Sequence, residues 1–146
     1  LGMWNVPADR LTLELTETAV MEDDALYGES LERLKETGIR LSIDDFGTGY
    51  SSMSRLRDLP VDELKLDMSF VKNMRTSLSD EKIVRSMISL AHDLELQVVA
   101  EGVEDLATLR RLKELGCHLV QGYFVSKPLD AEKIVDFLAA WKGLPE

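Results

Sequence analysis

Five short apolar segments alternate with helix-like segments along the chain, and this alternation constrains the fold more than any other feature. An alternating pattern or a continuous apolar run indicates a strand, whereas apolar residues three and four positions apart indicate a helix. A strand, a crossover helix and a second strand imply parallel pairing with right-handed connections. The predicted fold is therefore α/β, with about five β-α units in a (β/α) barrel or an open doubly wound sheet. The predicted strands are 11–15, 39–43, 63–67, 97–100 and 118–121.

Capping residues and stop signals predict the helices between these strands. Asp and Ser accept hydrogen bonds from the first free backbone N–H groups of a helix, and glycine frequently follows the last turn. Residues 16–18 are predicted as a loop, and Asp23 or Asp24 is predicted to cap the helix after it. Ser51 or Ser52 is predicted to cap the helix before Pro60, Glu104 or Asp105 to start the helix after the fourth strand, and Asp130 to cap the last helix. Gly38 and Gly116 are predicted to end the helices before them. The predicted helices cover about 23–37, 51–58, 68–76, 80–94, 104–115 and 130–141.

Composition indicates one domain with a hydrophobic core and excludes some partners. The chain has 146 residues, of which 45% are apolar, and no apolar run approaches the roughly 20 residues of a membrane span. The net charge of −10 argues against a DNA or RNA polymer bound on a basic surface. Bound cations could still bring in a nucleotide. Cys117 is the only cysteine, so an internal disulfide is excluded and a reducing compartment is favoured.

A polar residue that can bind metal, phosphate or water lies near the end of every predicted strand. In β/α folds, the loops at the carboxyl ends of the strands form the functional site. Carboxylates suit Mg²⁺, Mn²⁺ or Ca²⁺, and two such ions can bridge a phosphodiester and activate a water. We therefore predict a metal site that acts on a phosphate, with Glu104 supporting Glu101. The strand-end residues are Glu14, Asp44 with Asp45, Lys65, Glu101 and Gln121.

Two adjacent carboxylates, Asp44 and Asp45, follow the second predicted strand and precede a glycine-rich turn. Adjacent strand residues point to opposite faces, so both carboxylates can reach one cluster only if the backbone turns there. Simpler interpretations stay open at this point. Asp45 could open an ordinary turn while Asp44 is a solvated strand end, and Lys65 could pair with its neighbour Asp67.

Five motifs in order resemble those of the EAL family, the cyclic di-GMP phosphodiesterases of bacterial signalling. The resemblance implies a TIM-type barrel that hydrolyses cyclic di-GMP to linear pGpG with Mg²⁺ or Mn²⁺, in the bacterial cytoplasm. The matching segments are Glu14-Leu15-Thr16-Glu17, Asp44-Asp45-Phe46-Gly47-Thr48-Gly49-Tyr50-Ser51-Ser52, Leu64-Lys65-Leu66-Asp67, Ala100-Glu101-Gly102-Val103-Glu104 and Gln121-Gly122-Tyr123.

The resemblance also implies a role for each matching residue. It makes Lys65 and Glu101 catalytic, with Glu101 as the base or the partner of the attacking water. It implies metal ligation by Glu14, Asp44 and Asp45, and a substrate-binding or supporting role for Glu17, Glu104, Gln121 and Pro128. Glu17 is expected to steady the loop that contains Phe46, Gly47, Thr48, Gly49, Tyr50 and Ser51.

The chain also departs from the family pattern. The Glu-Ala-Leu motif itself and an asparagine ligand are not found in residues 1–146, and an eight-stranded barrel typically needs about 250 residues. We therefore expect residues 1–146 to be the carboxyl-terminal portion of the domain, with two exposed sheet edges and little or no activity alone. The parent protein is expected to be a homodimer or oligomer. Upstream it is expected to carry a diguanylate-cyclase-like or sensor domain, which could tether it to a membrane.

Two other functions are compatible with the same residues. The chain could be a module that binds cyclic di-GMP or a partner without cleaving it. It could also belong to a different metal-dependent β/α hydrolase, such as a glycerophosphodiesterase-like enzyme. Tight binding of cyclic di-GMP without formation of pGpG would distinguish the first alternative from a phosphodiesterase.

Overall fold

A parallel sheet with helices between its strands forms the centre of the protein. The computed structural model describes residues 5–21, 25–49 and 53–144. The sheet has five strands in the order of the chain, and every neighbouring pair is parallel. A doubly wound sheet would reverse its strand order at one point, so the observed order is that of a barrel segment. The strands are β1 (Thr12–Thr16), β2 (Arg40–Phe46), β3 (Glu63–Leu66), β4 (Gln97–Ala100) and β5 (Leu119–Val120).

Helices follow each strand, as the predicted β-α repeat requires. Among the described residues, no helix is both long enough and apolar enough to cross a membrane. A short 3-10 helix over Ala8–Arg10 precedes β1. The helices are α1 (Glu17–Met21), α2 (Ala25–Glu36), α3 (Met53–Asp58), α4 (Met68–Asn73), α5 (Leu78–Asp93), α6 (Leu106–Glu114) and α7 (Ala131–Ala140).

Side-chain caps and glycines define several helix ends. Asp105 accepts a hydrogen bond from the backbone N–H of Thr108 at 2.8 Å and caps α6, so of the two predicted starts, Glu104 and Asp105, it is Asp105 that caps the helix. Gly38 and Gly116 have φ values of +85° and +84° just beyond α2 and α6. Glycine enters this left-handed region without a steric penalty, so both residues stop their helices as predicted.

Three predictions made near the beginnings of helices need correction. Residues 16–18 are not a loop, because Glu17 begins α1 and the side chain of Thr16 accepts a hydrogen bond from the N–H of Ala19. Helix α5 begins at Leu78 rather than at Asp80, because Ser77 caps it. Asp130 precedes α7 but makes no capping hydrogen bond, and its carboxylate pairs instead with Lys133. The predicted caps Asp23, Asp24, Ser51 and Ser52 lie outside the described residues.

The two faces of the sheet differ in polarity. On one face, alternate strand residues pack against the helices and belong to a buried apolar core that includes Leu41, Ile43, Leu64, Leu66, Val98 and Ala100. Burial of each leucine side chain stabilises the fold by about 2 kcal/mol. Residues of the opposite parity point to the other face, and these include Glu14, Ser42 and Lys65. The packing of the core therefore places the polar strand residues on a shared surface.

Candidate active site

A bulge in β2 directs two adjacent carboxylates to one cluster. The pairing of β2 with β3 shifts between Ile43 and Phe46, so that Asp44 and Asp45 lie opposite the single residue Lys65. Asp45 has a φ of +55°, in the left-handed region that aspartate enters more readily than most residues. Strand β2 thus continues through both carboxylates instead of ending at Ile43 as predicted, and the bulge supplies the required turn of the backbone.

Lys65 lies at the centre of the cluster. Its Nζ is 2.8 Å from Glu101 Oε1 and 2.9 Å from both Glu14 Oε1 and Asp44 Oδ1. Burial alone would lower the pKa of Lys65, but its contacts with Glu101, Glu14 and Asp44 outweigh burial and raise the pKa above the ordinary lysine value. Lys65 therefore stays charged. The alternative pairing of Lys65 with Asp67 is wrong, because the Asp67 carboxylate caps α4 through the N–H of Ser69.

The cluster is chemically suited to a divalent cation. Asp44, Asp45 and Glu101 each offer a carboxylate oxygen, and these atoms lie within 4.8 Å of one another. Asp44 Oδ1 is buried without an aligned hydrogen-bond donor among the described residues, although Lys65 Nζ is 2.9 Å away. Oxygen ligands of this kind are those that Mg²⁺, Mn²⁺ and Ca²⁺ take in proteins. Glu14 is outside this group of three and joins the cluster through Lys65.

The surroundings of Asp45 disfavour the ionised form of its carboxyl group. Asp45 is exposed, yet partial removal of water from its carboxylate raises its pKa, the charges of Asp44 and Asp67 raise it further, and Lys65 offsets only part of the increase. An acid with a raised pKa binds its proton more tightly in the folded state than in the unfolded chain. Ionisation of Asp45 therefore lowers the free energy of unfolding as the pH rises through the folded-state pKa.

We predict that Asp45→Asn raises the thermal midpoint at pH 7 in EDTA by about 1–3 °C. Asparagine removes the repelled charge and tolerates the left-handed backbone. The gain should shrink as the pH falls toward 3.8, the ordinary aspartate pKa. Thermal denaturation followed by circular dichroism at several pH values measures it, with the exposed Asp136→Asn on α7 as control. A lower or unchanged midpoint at pH 7 would contradict the prediction.

Glu17 anchors the loop that follows β2. Its side chain is buried, and Oε2 accepts hydrogen bonds from the backbone N–H groups of Gly47 at 2.8 Å and Gly49 at 3.2 Å. A Cβ at Gly49 would lie only 2.9 Å from Glu17 Oε1, so a larger residue there would have to displace this carboxylate. These contacts agree with the expectation that Glu17 steadies the loop.

We expect Glu17→Ala to lower the free energy of unfolding by about 2–3 kcal/mol, because two backbone donors lose a charged acceptor. Hydrogen exchange at the amides of Gly47 and Gly49 should accelerate at the same time. Chemical denaturation and exchange measured by NMR report the two effects. Thr18→Ala, at the neighbouring exposed position of α1, is the matched control. Unchanged exchange at both glycines would refute the anchoring role.

The rest of the loop is only partly described. Phe46 is buried in the core, and the hydroxyl of Thr48 donates a hydrogen bond to the carbonyl oxygen of Asp45 at 2.9 Å. This bond closes the turn directly after the bulge. The predicted loop residues Tyr50 and Ser51 lie outside the described residues.

A cleft of about 230 Å³ opens beside Glu101. Glu101, Glu104 and Gln121 line it together with Lys72 and Tyr123. The Glu104 carboxylate pairs with Lys72 Nζ at 2.8 Å, so Glu104 lies beside the cluster and not in it. Lys72 could not be identified from the sequence, because no local pattern joins it to Glu104.

The last two predicted residues differ in their relation to this cleft. The backbone N–H of Gln121 donates to the carbonyl oxygen of Ala100, and its carbonyl oxygen accepts from Val103. These bonds hold the ends of β4 and β5 together, next to Glu101. Pro128 is exposed between β5 and α7 and is not among the described residues that line the cleft.

The fold is that of a β/α protein with a parallel sheet. The strand ends bring four carboxylates and a lysine together, which defines a candidate site for metal and phosphate. The chain belongs to the EAL domain family, whose model matches residues 4–128. This assignment confirms the resemblance of the five sequence motifs to the EAL family.

Relatives of known name and structure support the family assignment. The chain is 48% identical over 132 residues to the cyclic di-GMP phosphodiesterase NbdA of Pseudomonas aeruginosa, covering 90% of this chain and 17% of that protein. The solved EAL domain of Mycobacterium smegmatis DcpA matches with a TM-score of 0.87 and 40% identity, over 94% of this chain and 62% of that one.

A further solved structure contains ligands. Klebsiella pneumoniae BlrP1, in a complex with manganese and cyclic di-GMP, matches with a TM-score of 0.77 and 36% identity. The match covers 84% of this chain and 31% of that one. The chain thus spans less than two thirds of the length of each of these three proteins.

Proposed function

We propose that the chain is part of a domain that hydrolyses cyclic di-GMP to linear pGpG with Mg²⁺ or Mn²⁺. The convergence of Glu14, Asp44 and Glu101 on Lys65, with Asp45 alongside, carries this proposal. The name of NbdA and the manganese complex of BlrP1 support the same substrate and a divalent cation.

Glu14, Asp44 and Asp45 are the proposed metal ligands. Their oxygens suit hard cations. The buried Asp44 Oδ1 has no aligned hydrogen-bond donor among the described residues, and a bound cation would satisfy it. Divalent cations, when bound, supply Lewis-acid polarisation of the phosphodiester and promote ionisation of the attacking water. The acidic surface of the chain, with a net charge of −10, would otherwise repel an anionic dinucleotide.

Glu101 and Lys65 are the proposed catalytic residues. Glu101 accepts a proton from the water that attacks phosphorus, which places the water oxygen on phosphorus. The bond from phosphorus to the 3′ oxygen breaks, and that oxygen takes up a proton to form the free hydroxyl of pGpG. The buried ammonium of Lys65 stabilises the negative charge that develops on the phosphate during attack.

The remaining site residues are proposed to hold the substrate or the loop. Glu104 and Gln121 line the cleft beside Glu101, which offers space for one part of the dinucleotide. Pro128 is proposed to contact a base, on the family resemblance alone. Glu17 is proposed to couple the loop after β2 to activity and to the contacts of a homodimer.

We also propose that residues 1–146 are the carboxyl-terminal part of the EAL domain. The chain spans 62% of the solved DcpA domain, which supports a larger complete unit. We therefore expect little hydrolysis from residues 1–146 alone, because an incomplete set of ligands does not hold cations in a productive geometry. We also propose that the parent protein lies in the cytoplasm and carries sensor or cyclase-like segments upstream of this domain.

The decisive experiment measures pGpG formation from cyclic di-GMP by chromatography, with Mn²⁺ or Mg²⁺. Both the 146-residue chain and its parent protein are assayed, each beside its Glu14→Ala variant. We expect the parent to form pGpG and its variant to lose at least about 100-fold in rate. Equal rates for parent and variant would contradict the assigned site. Tight binding of cyclic di-GMP by the parent without pGpG formation would favour a binding module.

A further inference from the structure

The charged side chains of the cluster are buried to different extents. The Lys65 side chain is 6% exposed, whereas those of Glu101, Asp44 and Glu14 are 17%, 25% and 51% exposed. The ammonium is therefore the innermost group, and the carboxylates form the outer layer. A ligand that approaches from solvent meets the carboxylates before it meets Lys65.

The carboxylates need a cation to stay together. Three of them lie within 2.9 Å of one nitrogen, and like charges at such separations repel strongly where water is excluded. Among the residues that the structure describes, Lys65 is the basic group that contacts all three. In the absence of a divalent cation, its single charge is what opposes their mutual repulsion.

We infer that Lys65 is the internal counter-ion of the site, which holds Glu14, Asp44 and Glu101 together before any metal binds. This role rests on the proposed metal site and is distinct from contact with the substrate. Lys65 supports the carboxylates from within the fold, while a divalent cation would bind them from the solvent side. Both cations stabilise the same arrangement, so loss of Lys65 makes the fold depend on metal.

The experiment compares thermal midpoints of the purified chain in EDTA and in Mn²⁺, without nucleotide. Lys65→Met keeps the length and apolar stem of the side chain but removes its charge. We expect its midpoint in EDTA to fall by about 10 °C relative to the unmodified chain. Mn²⁺ should restore much of this loss, so the shift caused by Mn²⁺ is larger in Lys65→Met than in the unmodified chain.

Two further variants separate the counter-ion role from ordinary packing. Lys35→Met is the matched control, because Lys35 is a partly buried lysine that pairs with Asp62 at 2.6 Å, outside the cluster. Its loss of stability should be the same in EDTA and in Mn²⁺. Lys65→Arg retains the charge and should show the small metal response of the unmodified chain. Where Mn²⁺ stabilises the unmodified chain, a shift in Lys65→Met no larger than that of the unmodified chain overturns the inference.

A double variant decides the matter even if Lys65→Met does not fold. Adding Glu14→Gln to Lys65→Met removes one of the repelled charges at an exposed position. In EDTA, the double variant should be more stable than Lys65→Met, and failure to recover stability overturns the inference. If Mn²⁺ changes the thermal midpoint of neither the unmodified chain nor any variant, the proposed metal site fails. The comparison in EDTA still tests Lys65 in that case.

Discussion

Replacing Asp44 by asparagine is expected to weaken Mn²⁺ binding by on the order of 100-fold. Asp44 Oδ1 is buried without an aligned donor in the part of the chain that the structure describes, and the residue belongs to the group of three carboxylates with converging oxygens. Asparagine has nearly the same shape but contributes a neutral amide, so it removes the charge that attracts a cation. The bulge in β2 should persist, because both residues fit the same backbone.

Calorimetric titration of the purified chain with Mn²⁺ measures this effect. Asp58→Asn is the matched control, because Asp58 is exposed at the end of α3 and pairs with Arg57, away from the cluster. It removes the same charge from the chain and should leave Mn²⁺ affinity within about twofold, since exposed charges are screened. Equal affinities for the two variants would show that Asp44 is not a ligand.

Gly122→Ala is expected to lower the free energy of unfolding by about 3 kcal/mol or more. A Cβ at Gly122 would lie 2.2 Å from the carbonyl oxygen of Val103 and 2.4 Å from its nitrogen. Both are backbone atoms, so the clash cannot be relieved by rotating a side chain. Val103 would have to move, and with it the hydrogen bonds that its N–H donates to Gln121 and its carbonyl oxygen accepts from Phe124.

The movement should reach the site as well, because Glu101 lies two residues before Val103. Urea denaturation measures the loss of stability, and Mn²⁺ affinity of the folded fraction reports the site. Gly28→Ala in α2 is the matched control, because no atom of the described residues lies within 4 Å of a Cβ there. Alanine should stabilise that helix by about 0.5–1 kcal/mol. Similar stability for the two alanine variants would contradict the predicted clash.

The acidic cluster illustrates why functional groups at strand ends can cost stability. Asp45 is repelled by Asp44 and Asp67, and the opposing charge of Lys65 offsets only part of this. Hydrophobic residues at these positions would not carry this electrostatic cost. Perturbed groups that gather at one edge of a sheet are typical of sites that bind or react.

Much of the fold could be predicted because its signals are local. Strand β4 was predicted with the bounds observed, since its continuous apolar run is buried. The stop of α6 followed from Gly116, whose backbone has the expected left-handed conformation. The start of α1 and the lack of a cap at Asp130 were not predicted, because Thr, Glu and Asp suit loops, caps and helices almost equally.

Part of the site could also be predicted from the alternation along each strand. Glu14 and Lys65 have the parity opposite to the core residues of their strands, so they share the polar face. The same argument fails for the adjacent pair Asp44 and Asp45. Their convergence depends on a bulge, and the pairing of Lys72 with Glu104 depends on how α4 meets the loop after β4.

The sequence by itself determined the order of strands and helices, the apolar face of the sheet and the acidic residues at the strand ends. These features follow from periodicity and capping, which depend on residues close together in the chain. Only the tertiary structure decided that Lys65 lies beneath Glu14, Asp44 and Glu101. Such contacts join different strands, so they depend on register and on the bulge, which no local pattern of side chains specifies.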